Sequence, residues 1–291
     1  MSERVPATQA TQAAPVNPAR VQRRRRGLLR TYLTPKQTIP HPARLILGIG
    51  SFVVIITLWS VGSVIINNPL FLPSLPRVGK TWIDMVQHQH FLDDVAWSTF
   101  RIVAGFLIAA AMAVPLGLLM GSFEVVRSFF QPPINAIRYM PASAFIVLLI
   151  VLEGLGEEEK LTLIWIGVFF QLVLMVMDIA HRVPDEMLNV AYTLGASRWK
   201  VFYKVFLPAT FPEVVDALRI TIGWAWTYLI VAELLGAERG IGTFILISER
   251  FLRMDRIIAA ILTIGVLGLI TDTIFGLIHR WRFPYVEKVH A

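Results

Sequence analysis

The sequence predicts an all-α membrane protein with about six transmembrane helices, and three observations predict it. Of 291 residues, 55% are hydrophobic and 16% charged, with a mean hydropathy of +0.62, too few charges to cover a water-soluble domain of this length. Several apolar runs approach the roughly 20 helical residues that span about 30 Å of hydrocarbon. Two of them, residues 45–66 and 102–123, carry no charge at all.

Residues 1–44 are rich in Ala, Pro, Gln and Thr without apolar periodicity, which predicts a disordered basic tail and no cleavable signal peptide. Its run Arg23, Arg24, Arg25 and Arg26 reads as an anchor on anionic lipid rather than a nucleic-acid patch. The first span is 45–66. In the segment that follows, Gly79, Lys80 and Thr81 imitate the end of a phosphate-binding loop, but Ser74 stands where the earlier glycine belongs and Pro76 stiffens the turn. Nucleotide binding on this chain is therefore not expected.

The second span is 102–123, where Gly117 and Gly121 permit close helix contact. The remaining spans are 134–152, which contains Arg138, then 161–177, 217–236, which contains Arg219 and Glu233, and 257–278, which contains Asp272. With the N-terminus inside, Lys and Arg divide seventeen inside to seven outside, which predicts both termini in the cytoplasm. Without the tail the division is eight to seven, so this orientation rests mainly on the tail. Residues 283–291 form a short second cytoplasmic tail. There is no cysteine, and of six histidines only His88 and His90 lie close together, so neither thiol chemistry nor a metal site is expected.

The loop 182–212 lies between two spans and is polar enough for a soluble partner to push on. Pro184 marks the exit from the fourth span, and Asp185 and Glu186 suit a helix N-terminus. Ala191 and Ala196 are small enough for another surface to approach, and Gly195 permits a turn that a side chain would obstruct. Beyond it Val201, Phe202, Val205 and Phe206 form one apolar face, with Lys200 and Lys204 on another. The expectation is a helix projecting toward a partner, a glycine hinge, and a second helix lying along the inner membrane surface. Pro208 and Pro212 are expected to end that second helix and turn the chain into the fifth span.

Residues 189–208, NVAYTLGASRWKVFYKVFLP, resemble the coupling motif of binding-protein-dependent ABC importer permeases. That pattern is Glu-Ala-Ala, three residues, Gly, nine residues, an aliphatic, any residue and Leu-Pro. The spacing is kept through Gly195, Val205, Leu207 and Pro208, while Asn189 and Val190 stand for Glu and Ala. Residues 98–121 are similar to the family's early core helix, and 225–242 to the helix and turn after the loop. With 72–82 the resemblance covers about 45–282, closest to the nitrate, bicarbonate, taurine and alkanesulfonate group.

The resemblance implies a type I ABC importer permease fold and a transport subunit of the bacterial inner membrane that is not itself an enzyme. Asn189, Ala191, Gly195, Ala196, Arg198, Lys200, Val205, Leu207 and Pro208 would couple to the ATPase. The implied partners are a second permease subunit, expected to be a copy of this chain, two cytoplasmic ABC ATPases and a periplasmic or lipid-anchored solute-binding protein. ATP and Mg would be held by the ATPase, with no cofactor on this chain. The implied cargo is a small anion, with an aromatic vitamin precursor as the alternative.

Charged groups in spans usually face protein or water, so Arg138, Arg219, Glu233 and Asp272 are candidates for the translocation path, with snorkelling or a helix cap near a span end as the competing reading. Tyr139, Met140, Trp224, Thr227 and Tyr228 offer aromatic and hydroxyl groups that form gates and donate to anions; ordinary helix packing and an interfacial aromatic belt are the competing readings. Glu233 is expected to tie its helix to the turn that follows. Two other classes fit the sequence less well: an ATP-independent secondary transporter would show repeats that are not seen here, and a membrane enzyme would need a convergent set of catalytic groups.

Overall fold

A computed structural model describes residues 41–285. The expected disorder of residues 1–40 and the last six residues of the C-terminal tail lie outside the described residues. Helix α1, His41–Ile66, begins within the stretch assigned to the tail, so 41–44 are helical. It crosses from a first unit ending at Leu58 into a second starting at Trp59. Its uncharged run suits lipid.

In the second unit, the end of α1 is fastened to the following loop: the Trp59 indole donates to Pro73 O (3.0 Å) and Ser63 Oγ to Leu72 O (3.2 Å). Amphipathic α2, Leu75–His88, has Pro76 in its first turn, where a missing N–H costs nothing. Gly79, Lys80 and Thr81 are thus helix interior, and Thr81 Oγ1 donates to Asp255 at 2.9 Å.

Helix α3, Phe91–Ser122, has 32 residues, about 48 Å at 1.5 Å per residue, more than the bilayer core requires. The excess precedes the uncharged run and carries Asp93, Asp94 and Arg101. Helix α6, Glu157–His181, opens on three glutamates that complement its N-terminal dipole and ends on a histidine. The α3 and α6 helices form the main core, built on Ile102, Phe106 and Ala109 against Val168, Leu172 and Val176. They approach closely because a β-carbon at Gly117 would lie 2.7 Å from both Val173 O and Val176 Cβ, and one at Gly121 2.8 Å from Met177 O. The partner that the glycine spacing alone left unnamed is therefore α6. Gly121→Leu is expected to destabilise the chain by about 1–3 kcal/mol through overpacking, whereas Gly265, with nothing within 4 Å, tolerates leucine. Thermal unfolding of the two purified variants in detergent makes the comparison.

The expected continuous span 134–152 is broken. Helix α4, Glu124–Ile137, is followed by a 3-10 turn, Ala142–Phe145, and helix α5, Ile146–Glu153; the two halves meet at 79°. Pro141, extended at ψ 124°, disfavours helix at Met140, and the apolar run on either side masked that break.

Short α7, Asp185–Thr193, precedes α8, Arg198–Gly236, a helix of 39 residues. The expected stop at Pro208 and Pro212 is absent. Phe202–Phe206 form a π turn in which the Leu207 N–H reaches Phe202 O; widening the ladder just before Pro208 makes room for its ring and its missing donor. Helix α9, Ile241–Arg250, is too short to cross, and α10, Met254–Arg282, closes the unit. Among the described residues five helices are long and apolar enough to span, or six if the bent pair is one span. No strand occurs among them.

Candidate functional site

The loop 182–212 folds into an elbow. Helix α7 follows an extended Pro184 and carries Asp185 and Glu186 in its first turn. Gly195 ends it at φ 78°: its N–H donates to Tyr192 O (2.9 Å) and the Ala196 N–H to Ala191 O (3.1 Å), the paired bonds of a Schellman cap. A β-carbon at 195 meets nothing within 4 Å. Glycine is therefore required there by the backbone and not by crowding. Ser197 then begins α8.

The two arms of the elbow differ. In α8 Val201 and Phe206 are buried, and Phe202 stacks on Phe206 (5.5 Å) and on Phe123 past the end of α3 (6.3 Å). This apolar face packs on protein, with Val205 and Leu207 half-buried beside it. Helix α7 has no buried residue. Its Asn189 is exposed, with the backbone carbonyl accepting from Thr193 Oγ1 at 2.5 Å, while Ala191 and Ala196 are half-buried. Val190, Leu194 and Trp199 stand out at 60%, 83% and 67% exposure, and Arg198, Lys200 and Pro208 are exposed around them. A cavity of about 800 Å³ lies under the elbow, bordered by Gly121, Phe123, Ala180, Leu188 and Trp199.

A second cavity, about 290 Å³, lies at the bend between α4 and α5. It brings together four of the residues proposed from sequence for a path, namely Arg138, Met140, Trp224 and Tyr228, with Ile166, Gly167, Phe170 and Gln171 of α6. Tyr139 adjoins it: Arg138 Nη2 donates to the Tyr139 hydroxyl at 3.1 Å and the guanidinium lies 4.9 Å from that ring centre. The others are elsewhere. Arg219 is held by Asp272 through bonds of 2.5 and 2.6 Å between α8 and α10. Thr227 borders a different cavity with Trp226 and Gly268. Gln171 carried no signal in the sequence beyond being an amide in an apolar run.

The third grouping was missed from the sequence except for one member. Glu233, fully buried, accepts from Ser98 Oγ (2.7 Å), Arg101 Nη1 (2.7 Å) and the Gly242 N–H (2.8 Å). The last bond ties its helix to the turn that follows. Arg101, also buried, donates from Nε and Nη2 to Glu157 at 2.6 and 2.7 Å, and from Nη1 to Arg239 O at 2.6 Å. The Ile241 N–H donates to Ser98 Oγ, and the Gly240 N–H to Asp94. The cluster therefore joins the starts of α3, α6 and α9 to the end of α8. About 30 Å of α3 separates Arg101 from Gly121 beside the elbow at 1.5 Å per residue. Among the described residues no group of His, Cys, Asp and Glu has the arrangement of a metal site.

Residues 113–283 match the family described as the binding-protein-dependent transport system inner membrane component. A putative ABC transporter permease of Methanocaldococcus jannaschii is 33% identical over 78% of this chain and 87% of its own. The taurine transport system permease protein TauC of Escherichia coli is 30% identical over 86% and 93%. The nitrate import permease protein NrtB of Synechocystis is 28% identical over 66% and 70%. Among solved structures, a chain of the MetNI methionine ABC transporter in inward-facing conformations superposes with a TM-score of 0.55 at 17% identity, covering 65% of this chain and 94% of that one; it shares the fold. The chain belongs to the binding-protein-dependent importer permease family and has its type I fold.

Proposed function

We propose that this permease pairs with a copy of itself to form the path by which a small anion, such as nitrate, bicarbonate or a sulfonate, enters a bacterium across the inner membrane. Two cytoplasmic ATPases, each holding ATP and Mg, seat the α7 elbows, and a periplasmic or lipid-anchored binding protein delivers the solute. Both termini lie in the cytoplasm, and this chain hydrolyses nothing itself. The observation that carries the reading is the elbow: one arm is packed into the core while the other presents exposed apolar knobs.

Such an element transmits movement because its two arms differ in restraint. Closure of the ATPases shifts α7, and the Phe202–Phe206 packing passes the shift to the ends of α3 and α8. Solute and ATP bias the two states only through unequal affinities for them. The taurine and nitrate relatives support a cargo that carries a small oxyanion group, the sulfonate of zwitterionic taurine or nitrate itself, and Arg138 at the bend cavity suits one.

Reconstitution tests this. In vesicles containing permease, ATPase and binding protein, uptake of taurine or nitrate is expected to require all three and internal ATP. Uptake by the permease alone would show a secondary transporter. Import confined to an uncharged aromatic vitamin precursor would remove the anion.

A further inference from the structure

Gln171 stands past the middle of α6, an amide in an otherwise apolar run. Ten residues, about 15 Å of helix, separate it from the His181 end of α6. Among the described residues its amide has no hydrogen-bond partner, and neither does the Tyr228 hydroxyl or the Trp224 indole N–H. Gln171 and Tyr228 are half-buried and Trp224 is 38% exposed, so their polar groups are open to a ligand. All three border the same 290 Å³ cavity as Arg138, whose guanidinium has five donors and gives one to Tyr139. Gly167 sits against the Tyr228 ring so tightly that a β-carbon there would overlap it, which fixes the ring at the cavity wall.

We propose that this cavity is an anion-coordination site belonging to the permease itself, for a small oxyanion of single charge. This rests on the importer reading. Arg138 supplies one positive charge, and the Gln171 amide, Tyr228 hydroxyl and Trp224 indole supply neutral donors that an oxyanion's several oxygens can accept. Met140, Ile166 and Phe170 supply apolar walls that limit size. One cation balances one negative charge, and a dianion such as sulfate would keep an uncompensated charge at the site. The site thus makes a second selection after the binding protein, by charge as well as by shape.

The test is titration calorimetry on the permease–ATPase complex in nanodiscs without binding protein, with sodium methanesulfonate, sodium nitrate and sodium sulfate added at constant ionic strength in chloride. Saturable binding of the two monoanions and not of sulfate is expected. Gln171→Leu should weaken it about tenfold, as for one lost hydrogen bond to a charged group, and Gly167→Ala should weaken it by displacing Tyr228. Thermal unfolding of each variant establishes that it is folded. Absence of saturable binding in the parent, or unchanged binding in folded Gln171→Leu, overturns the site. Sulfate binding as well as methanesulfonate overturns the single-charge assignment. The importer reading fails separately, if uptake of these anions proceeds without the ATPase.

Discussion

Replacing Glu233 with alanine is expected to destabilise the permease by up to about 3–5 kcal/mol, because it removes the fully buried one of Arg101's two carboxylate partners and leaves only the half-exposed Glu157. Glu233 is fully buried and Arg101 is 2% exposed, so water does not replace the lost carboxylate. Ser98 and the Gly242 N–H lose their acceptor at the same time, and the turn between α8 and α9 loses its anchor. Arg101→Ala should be comparably severe. Glu157→Ala should cost less, since that carboxylate is about half exposed (46%) and solvent screens it. Melting of the purified variants in detergent gives the ranking. A Glu233→Ala protein that melts with the parent would show that the cluster contributes nothing to stability.

Valine at Gly195 is expected to cut solute-stimulated ATP hydrolysis in the assembled complex roughly tenfold while leaving membrane insertion intact. The φ of 78° costs an L-residue about 1–2 kcal/mol, and a β-branched one suffers most. A strain of that size depletes the bent conformer by roughly tenfold. The surrounding space is open, so no clash spreads into the spans. Asparagine tolerates this backbone region, and Gly195→Asn should retain most of the stimulation. Equal loss in both variants would mean that the side chain, not the backbone, is what coupling senses.

Residues 45–66 and 102–123 were legible as spans because nothing charged interrupts them, and the elbow because glycine and its flanking residues keep a fixed spacing. Its packing was not legible: that Phe202 meets Phe123 depends on a helix end far away in sequence. Pro208 read as a stop because proline usually is one, but a π turn absorbed it. Pro141 was the informative proline, hidden between apolar residues on both sides. Arg101 escaped notice because it sits one residue before an uncharged run, and its partners lie 56 and 132 positions away. The bend cavity was half legible. The charge and aromatics at Arg138, Trp224 and Tyr228 were visible as types, while Gln171 joins them only through helix packing.

The absence of native cysteine makes one measurement especially clean. A single cysteine at Asn189 should react with a membrane-impermeant maleimide in inside-out vesicles stripped of ATPase, become protected when the ATPase is added back, and stay unreactive in right-side-out vesicles. Labelling from the exterior, or reactivity unchanged by the ATPase, would contradict the assignment of α7 as the seat through which a cytoplasmic motor moves this permease.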